Sequence, residues 1–183
     1  MKNIIKKIPN TLTMLRICLV PVIFIFMYIN SCVSNCMAIF FAFIACISDF
    51  FDGKIARKYN CSSAFGRCMD PIADKILVMT LILMLVYFHR IWIVPSIVIL
   101  LREFVVSGVR EFVSKEKNMI IHVSKLAKIK TSMQMFSLLF VMIFYKNSYL
   151  CFVGNILFTF ASILAIITCV QYILSVKKVI FSR

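Results

Sequence analysis

With 183 residues, 62% of them hydrophobic, and four Gly and four Pro, the chain has the length of one domain and a composition that soluble domains do not carry. Its net charge of +14 would suit a nucleic-acid ligand, but the 21 Lys and Arg flank apolar runs, where anionic membrane lipid and orientation account for them. The chain therefore reads as an all-α integral membrane protein that does not bind nucleic acid.

In chain order, Met1 to Ile8 alternates Lys with Ile and predicts a short N-terminal amphipathic segment on the membrane surface. Arg16 interrupts the apolar run behind it and no small-residue cleavage site follows, which argues against a signal peptide. Pro9 opens a first span over about 11–29, with Pro21 as its expected kink. Asn10, Thr13 and Arg16 form a polar stripe along it. A turn over 30–35 leads to a second span at about 36–57, and a polar turn around 58–62 to a third at about 63–88, with Pro71 inside it. A tight turn at His89 and Arg90 leads to a fourth span at about 91–112, and a fifth and a sixth follow at about 123–145 and 148–176.

Basic residues are absent from Ile17 to Ser48 and from Asn147 to Val176, each long enough to cross about 30 Å of hydrocarbon. The uncharged runs of spans three and four are too short alone, so their polar ends must line a wet cavity. With six spans, all but Arg90 and Lys146 of the 21 Lys and Arg fall on one side, which puts both termini and the cavity on the cytoplasmic face of the cell membrane. Eight Cys lie scattered through apolar runs without metal spacing and read as small buried hydrophobes. His89 and His122 have no carboxylate at a useful spacing, so neither is assigned a catalytic role.

The chain has seven acids, and four of them fall in SDFFDGKIARKYNCSSAFGRCMDPIADK, Ser48 to Lys75. A charge at membrane depth costs about 2.5–3.5 kcal/mol, so Asp49, Asp52, Asp70 and Asp74 need a compensating partner. Asp49, Asp52, Gly53 and Ala56 share a helical face with Arg57 at its edge; Ser63, Gly66, Asp70 and Asp74 share one on the next helix. Brought together, four carboxylates would repel one another unless a hard divalent cation sat between them, Mg²⁺ or Mn²⁺ in its place, shared with substrate phosphate. An isolated D-x-x-D is usually a solvated helix face; here every position of D-x2-D-G-x2-A-R-x8-G-x3-D-x3-D is filled.

That run resembles the signature of the CDP-alcohol phosphatidyltransferases. The resemblance implies a single membrane domain over 1–183 that moves a phosphatidyl group from CDP-diacylglycerol to an alcohol, commonly as a homodimer. It implies one metal on Asp49, Asp52 and Asp70, a second on Asp49, Asp70 and Asp74, and Asp74 as the base. Gly53, Ala56, Arg57, Ser63 and Gly66 match positions that cradle the CDP-lipid, joined by looser analogy by Asn10 and Thr13.

For the acceptor, Arg102, Arg110, Lys125, Lys128 and Lys130 suit a phosphate-bearing alcohol, sn-glycerol 3-phosphate, better than serine or neutral inositol. The segments LREFVVSGVRE and KLAKIKTSMQM are similar to phosphatidylglycerophosphate synthases in the same sense. Anchoring of helix ends in anionic lipid would explain the same cations. The competing readings are the same chemistry with inositol phosphate or serine, a membrane prenyltransferase, and a cation transporter. A prenyltransferase has no need of the G-x2-A-R, and a transporter would place its carboxylates at span centres.

Overall fold

In a computed structural model, residues 2–59, 64–117 and 125–181 are described, with side chains except at 2–10, 12, 49–59, 64–68, 70–71, 114–117, 125 and 178–181. They form six α-helices and, among the described residues, no strand. The helices are α1 (Lys2–Ile29), α2 (Cys32–Tyr59), α3 (Ala64–Tyr87), α4 (Ile93–Lys117), α5 (Lys125–Ile143) and α6 (Ser148–Phe181). Their contacts divide the chain into two units, Met1–Phe88 and His89–Arg183.

In the first unit α1 packs against both α2 and α3. Thr13, Arg16, Val20, Ile23 and Met27 are buried at alternating steps of three and four residues, the stripe by which one helix meets its neighbours. On α2 the matching stripe is Ala38, Ala42 and Ala45, all fully buried, and such small residues let helix backbones approach closely. On α3 the stripe is Ala73, Leu77, Leu81 and Leu85. Phe24, Ile25, Tyr28, Phe40, Phe43 and Leu83 face outward. Apolar residues inside and outside alike suit a surrounding hydrocarbon better than water.

The α1–α2 junction is tighter than the expected turn over 30–35, for a reason visible in its hydrogen bonds. Asn30 adopts a left-handed φ of 52° just past the end of α1, the position where Asn serves as a C-terminal stop. Ser31 then caps α2: its Oγ accepts from the Ser34 amide at 3.1 Å, while the Ser34 Oγ accepts from the Ser31 amide at 2.9 Å. This reciprocal cap starts the helix at Cys32.

Other boundaries differ from expectation too: α4 runs to Lys117 and α6 to Phe181, each past its expected end. The amphipathic segment and first span are not separate, because α1 runs unbroken through Pro9 and Pro21; proline's φ is already helical, so the helix continues with the loss of a backbone donor at each. Likewise α2 continues to Tyr59, past the expected start of a turn, and α3 runs through Pro71. The rest of that turn, residues 60–63, lies outside the described residues.

In the second unit α6 packs against both α4 and α5. Gly154, Phe158, Ala161, Ala165 and Thr168 form its buried stripe. A Cβ at Gly154 would stand 2.5 Å from Val141 Cγ2, so this glycine sets how closely α6 approaches α5. Asn155 beside it holds the chain entering α4. Its Oδ1 accepts from the Trp92 amide at 2.8 Å, and its Nδ2 donates to the Arg90 carbonyl at 2.9 Å. The Arg90 guanidinium lies 4.1 Å from the centre of the Tyr145 ring, a cation–π contact that keeps a buried cation partnered. His89, in the turn, has a left-handed φ of 54°.

Among the described residues, two helices are long and apolar enough to cross a membrane, through Leu126–Ile143 and Ser148–Lys177; α1 and α2 carry shorter apolar stretches, Thr13–Ile29 and Cys32–Ser48. The cysteines correct the sequence reading in part: of the six described, Cys18, Cys32 and Cys36 are exposed and Cys46, Cys151 and Cys169 half-buried. On an apolar outer face a small thiol needs no burial.

Gly154→Ala is expected to destabilise the protein by about 1–3 kcal/mol, since stiff, β-branched Val141 can yield only by shifting its helix. Thermal unfolding in detergent, with Gly108→Ala as a control in open space, measures it.

Candidate active site

The acid-bearing run folds as the end of α2 and the start of α3. Asp49 and Asp52 lie one turn apart on α2, with Gly53, Ala56 and Arg57 following; Asp70 and Asp74 lie one turn apart on α3, after Gly66. Ser63 falls outside the described residues, as do the side chains of the others in this set except Asp74. Asn10 and Thr13 lie on α1, and Thr13 is fully buried.

Asp74 is where the geometry becomes specific. Its Oδ1 accepts a hydrogen bond from Nη1 of Arg16 on α1, forming an ion pair between helices. The Arg16 side chain is 1% exposed and that of Asp74 47%. A guanidinium so buried is tolerable only with a charged partner, whereas the carboxylate keeps one side open. The pair therefore holds Asp74 at the edge of the buried stripe, between Ala73 and Leu77, with room for a ligand on its accessible side. Arg16 stood out in the sequence as part of a polar stripe. Asp74 stood out as one of the four motif acids, but its pairing with Arg16 across 58 residues did not.

Among the described residues no three His, Cys, Asp or Glu side chains cluster. The donor chemistry fits a hard cation all the same: two carboxylates a turn apart on each of two helices, one of them the half-exposed Asp74, offer anionic oxygens and no soft ligand.

The second unit holds another polar cluster. On α4, Arg102 Nη1 donates to Oε1 of Glu103 at 3.2 Å and its Nη2 to Thr168 Oγ1 of α6 at 3.4 Å. On α5, Lys130 Nζ donates to the same Glu103 oxygen. Lys130 is fully buried, and Gln134, one turn further, nearly so. The five candidate acceptor cations thus differ in setting. Arg102 and Lys130 meet at Glu103; Arg110 and Lys128 are exposed; Lys125 begins α5, its side chain outside the described residues. Glu103 is the residue the sequence did not single out, and the signal was slight: an acid beside Arg102 in a helix with few charges.

The chain matches the CDP-alcohol phosphatidyltransferase family over residues 6–176, which spans both units, and it belongs to that family. Its relatives point to one reaction within the family. A CDP-diacylglycerol–glycerol-3-phosphate 3-phosphatidyltransferase of Rickettsia felis is 44% identical over 176 residues, covering 94% of this chain and 97% of the relative. One of Rickettsia prowazekii is 44% identical over 175 residues, covering 94% and 96%. One of Shigella flexneri serotype 5b is 32% identical over 169, covering 91% and 92%. Apolar helices and family together make this a membrane-associated transferase.

Arg16→Met should lower the stability of the folded protein by about 1 kcal/mol, a small effect because Asp74 remains half-exposed to solvent. Thermal unfolding of the purified protein checks it, and an unshifted midpoint would show that the pair contributes nothing.

Proposed function

We propose that the chain transfers the phosphatidyl group of CDP-diacylglycerol to sn-glycerol 3-phosphate, giving phosphatidylglycerol phosphate and CMP. The observation that carries this is the similarity along nearly the whole chain to enzymes named for that reaction. The filled run from Asp49 to Asp74 supports it as well, because two pairs of carboxylates on successive helices are what a pyrophosphate-binding cation would need.

Asp49, Asp52, Asp70 and Asp74 are assigned to hold Mg²⁺, or Mn²⁺ in its place. When bound, the metal neutralises charge on the diphosphate and on the departing CMP. Asn10, Thr13, Gly53, Ala56, Arg57, Ser63 and Gly66 are assigned to the CDP-lipid, with the Arg57 fork suited to phosphate oxygens. Asp74 takes the proton from the acceptor hydroxyl, whose oxygen bonds to the phosphatidyl phosphorus as the bond to the CMP oxygen breaks. Arg16, bonded to Asp74, fixes the direction of that carboxylate. Arg102, Arg110, Lys125, Lys128 and Lys130 are assigned to the acceptor phosphate. The six helices are read as spanning the cell membrane in a homodimer, with the termini and a polar cavity holding the acids on the cytoplasmic side, as the distribution of Lys and Arg directs.

Release of CMP, followed with each acceptor in turn, is expected with glycerol 3-phosphate. Release with serine or inositol phosphate and none with glycerol 3-phosphate would overturn the acceptor. A chelator should abolish release, and Mg²⁺ or Mn²⁺ restore it. Asp74→Asn should abolish turnover while CDP-diacylglycerol still binds in a direct binding measurement; normal turnover would remove Asp74 from the base role.

A further inference from the structure

We propose that Glu103 is a positioning residue for the acceptor phosphate: its carboxylate draws Arg102 of α4 and Lys130 of α5 onto one oxygen and so presets two cations as a single grip. The proposal rests on the reading above that the acceptor carries phosphate.

Three observations support it. First, among the described residues the cluster joins two cations, the fully buried Lys130 and the largely buried Arg102, to the single, part-exposed carboxylate of Glu103, an excess of one positive charge. Such an excess away from water is unfavourable until an anion completes it. Second, Arg102 Nε is buried without a partner among the described residues although both terminal nitrogens are engaged, so a donor remains unspent. Third, Gln134, on the same face of α5 one turn beyond Lys130, has a buried Oε1 with no donor among the described residues. Spare donor, spare acceptor and excess positive charge together match a small molecule with both phosphate and hydroxyl groups.

Glu103 is what makes this arrangement tenable. Lys130 is fully buried, and an ammonium there without a carboxylate would be an uncompensated buried charge. Glu103 therefore acts on the substrate through the cations it holds and need not touch it. Its charge also limits the excess to one, which suits an anion that must bind and then depart as product.

The test is a comparison of kinetic constants in the full-length protein. Glu103→Gln should raise KM for glycerol 3-phosphate about tenfold or more while KM for CDP-diacylglycerol stays within about twofold. Glu103→Asp should recover most of the loss. The double variant with Lys130→Met should lose less than the two single effects multiplied together, since residues acting as a unit are not additive. Where Glu103→Gln fails to fold, Lys130→Met carries the same expectation, because Glu103 then keeps Arg102. A folded Glu103→Gln protein with wild-type KM for glycerol 3-phosphate, or with both KM values raised alike, overturns the proposal alone. Wild-type transfer to serine in place of glycerol 3-phosphate would overturn the acceptor reading and this role with it.

Discussion

An ionised side chain away from water must find opposite charge, and each unit of this protein resolves that constraint at its own ion pair. In the first, Arg16 on α1 meets Asp74 on α3; in the second, Lys130 on α5 meets Glu103 on α4. In both pairs the cation is the deeply buried partner and the carboxylate the more accessible one. That asymmetry matters for a transferase of charged substrates. A buried cation anchors the pair to the fold, while an accessible carboxylate can still respond to what arrives.

Packing serves the same end. In each unit one helix, α1 or α6, contacts both of the others, and its partners approach over small residues: Ala38, Ala42 and Ala45 on α2, and Gly154 on α6 itself. Among lipid tails, hydrophobic burial gives little net drive between helices, so close contact and polar bonds across interfaces carry more of the association. The outward-facing Phe, Ile and Leu side chains are the counterpart, a surface matched to hydrocarbon.

Helix number and approximate limits could be read from the alternation of apolar runs with charged clusters. The ends of α1 at Ile29 and the start of α6 at Ser148 fall where the runs change character. What failed at Pro9 and at 58–59 was the assumption that a proline or a polar run ends a helix; a helix already in register continues through either. The family was legible because its motif is local, contained between Asp49 and Asp74. Partnerships across helices were not. Lys130 and Glu103 are 27 residues apart, Arg16 and Asp74 58, and no periodicity along one helix tells which face of another it meets. Asn155 was hidden for a different reason: one amide in a long apolar run looks like tolerated polarity until the main-chain groups it serves are seen.

That amide grips peptide groups, the Trp92 N–H and the Arg90 C=O, and no side chain of the turn it holds. The anchorage is therefore indifferent to the identity of the residues it secures. A substitution at position 90 or 92 leaves these two bonds in place, proline at 92 excepted, whereas loss of Asn155 releases both peptide groups at once.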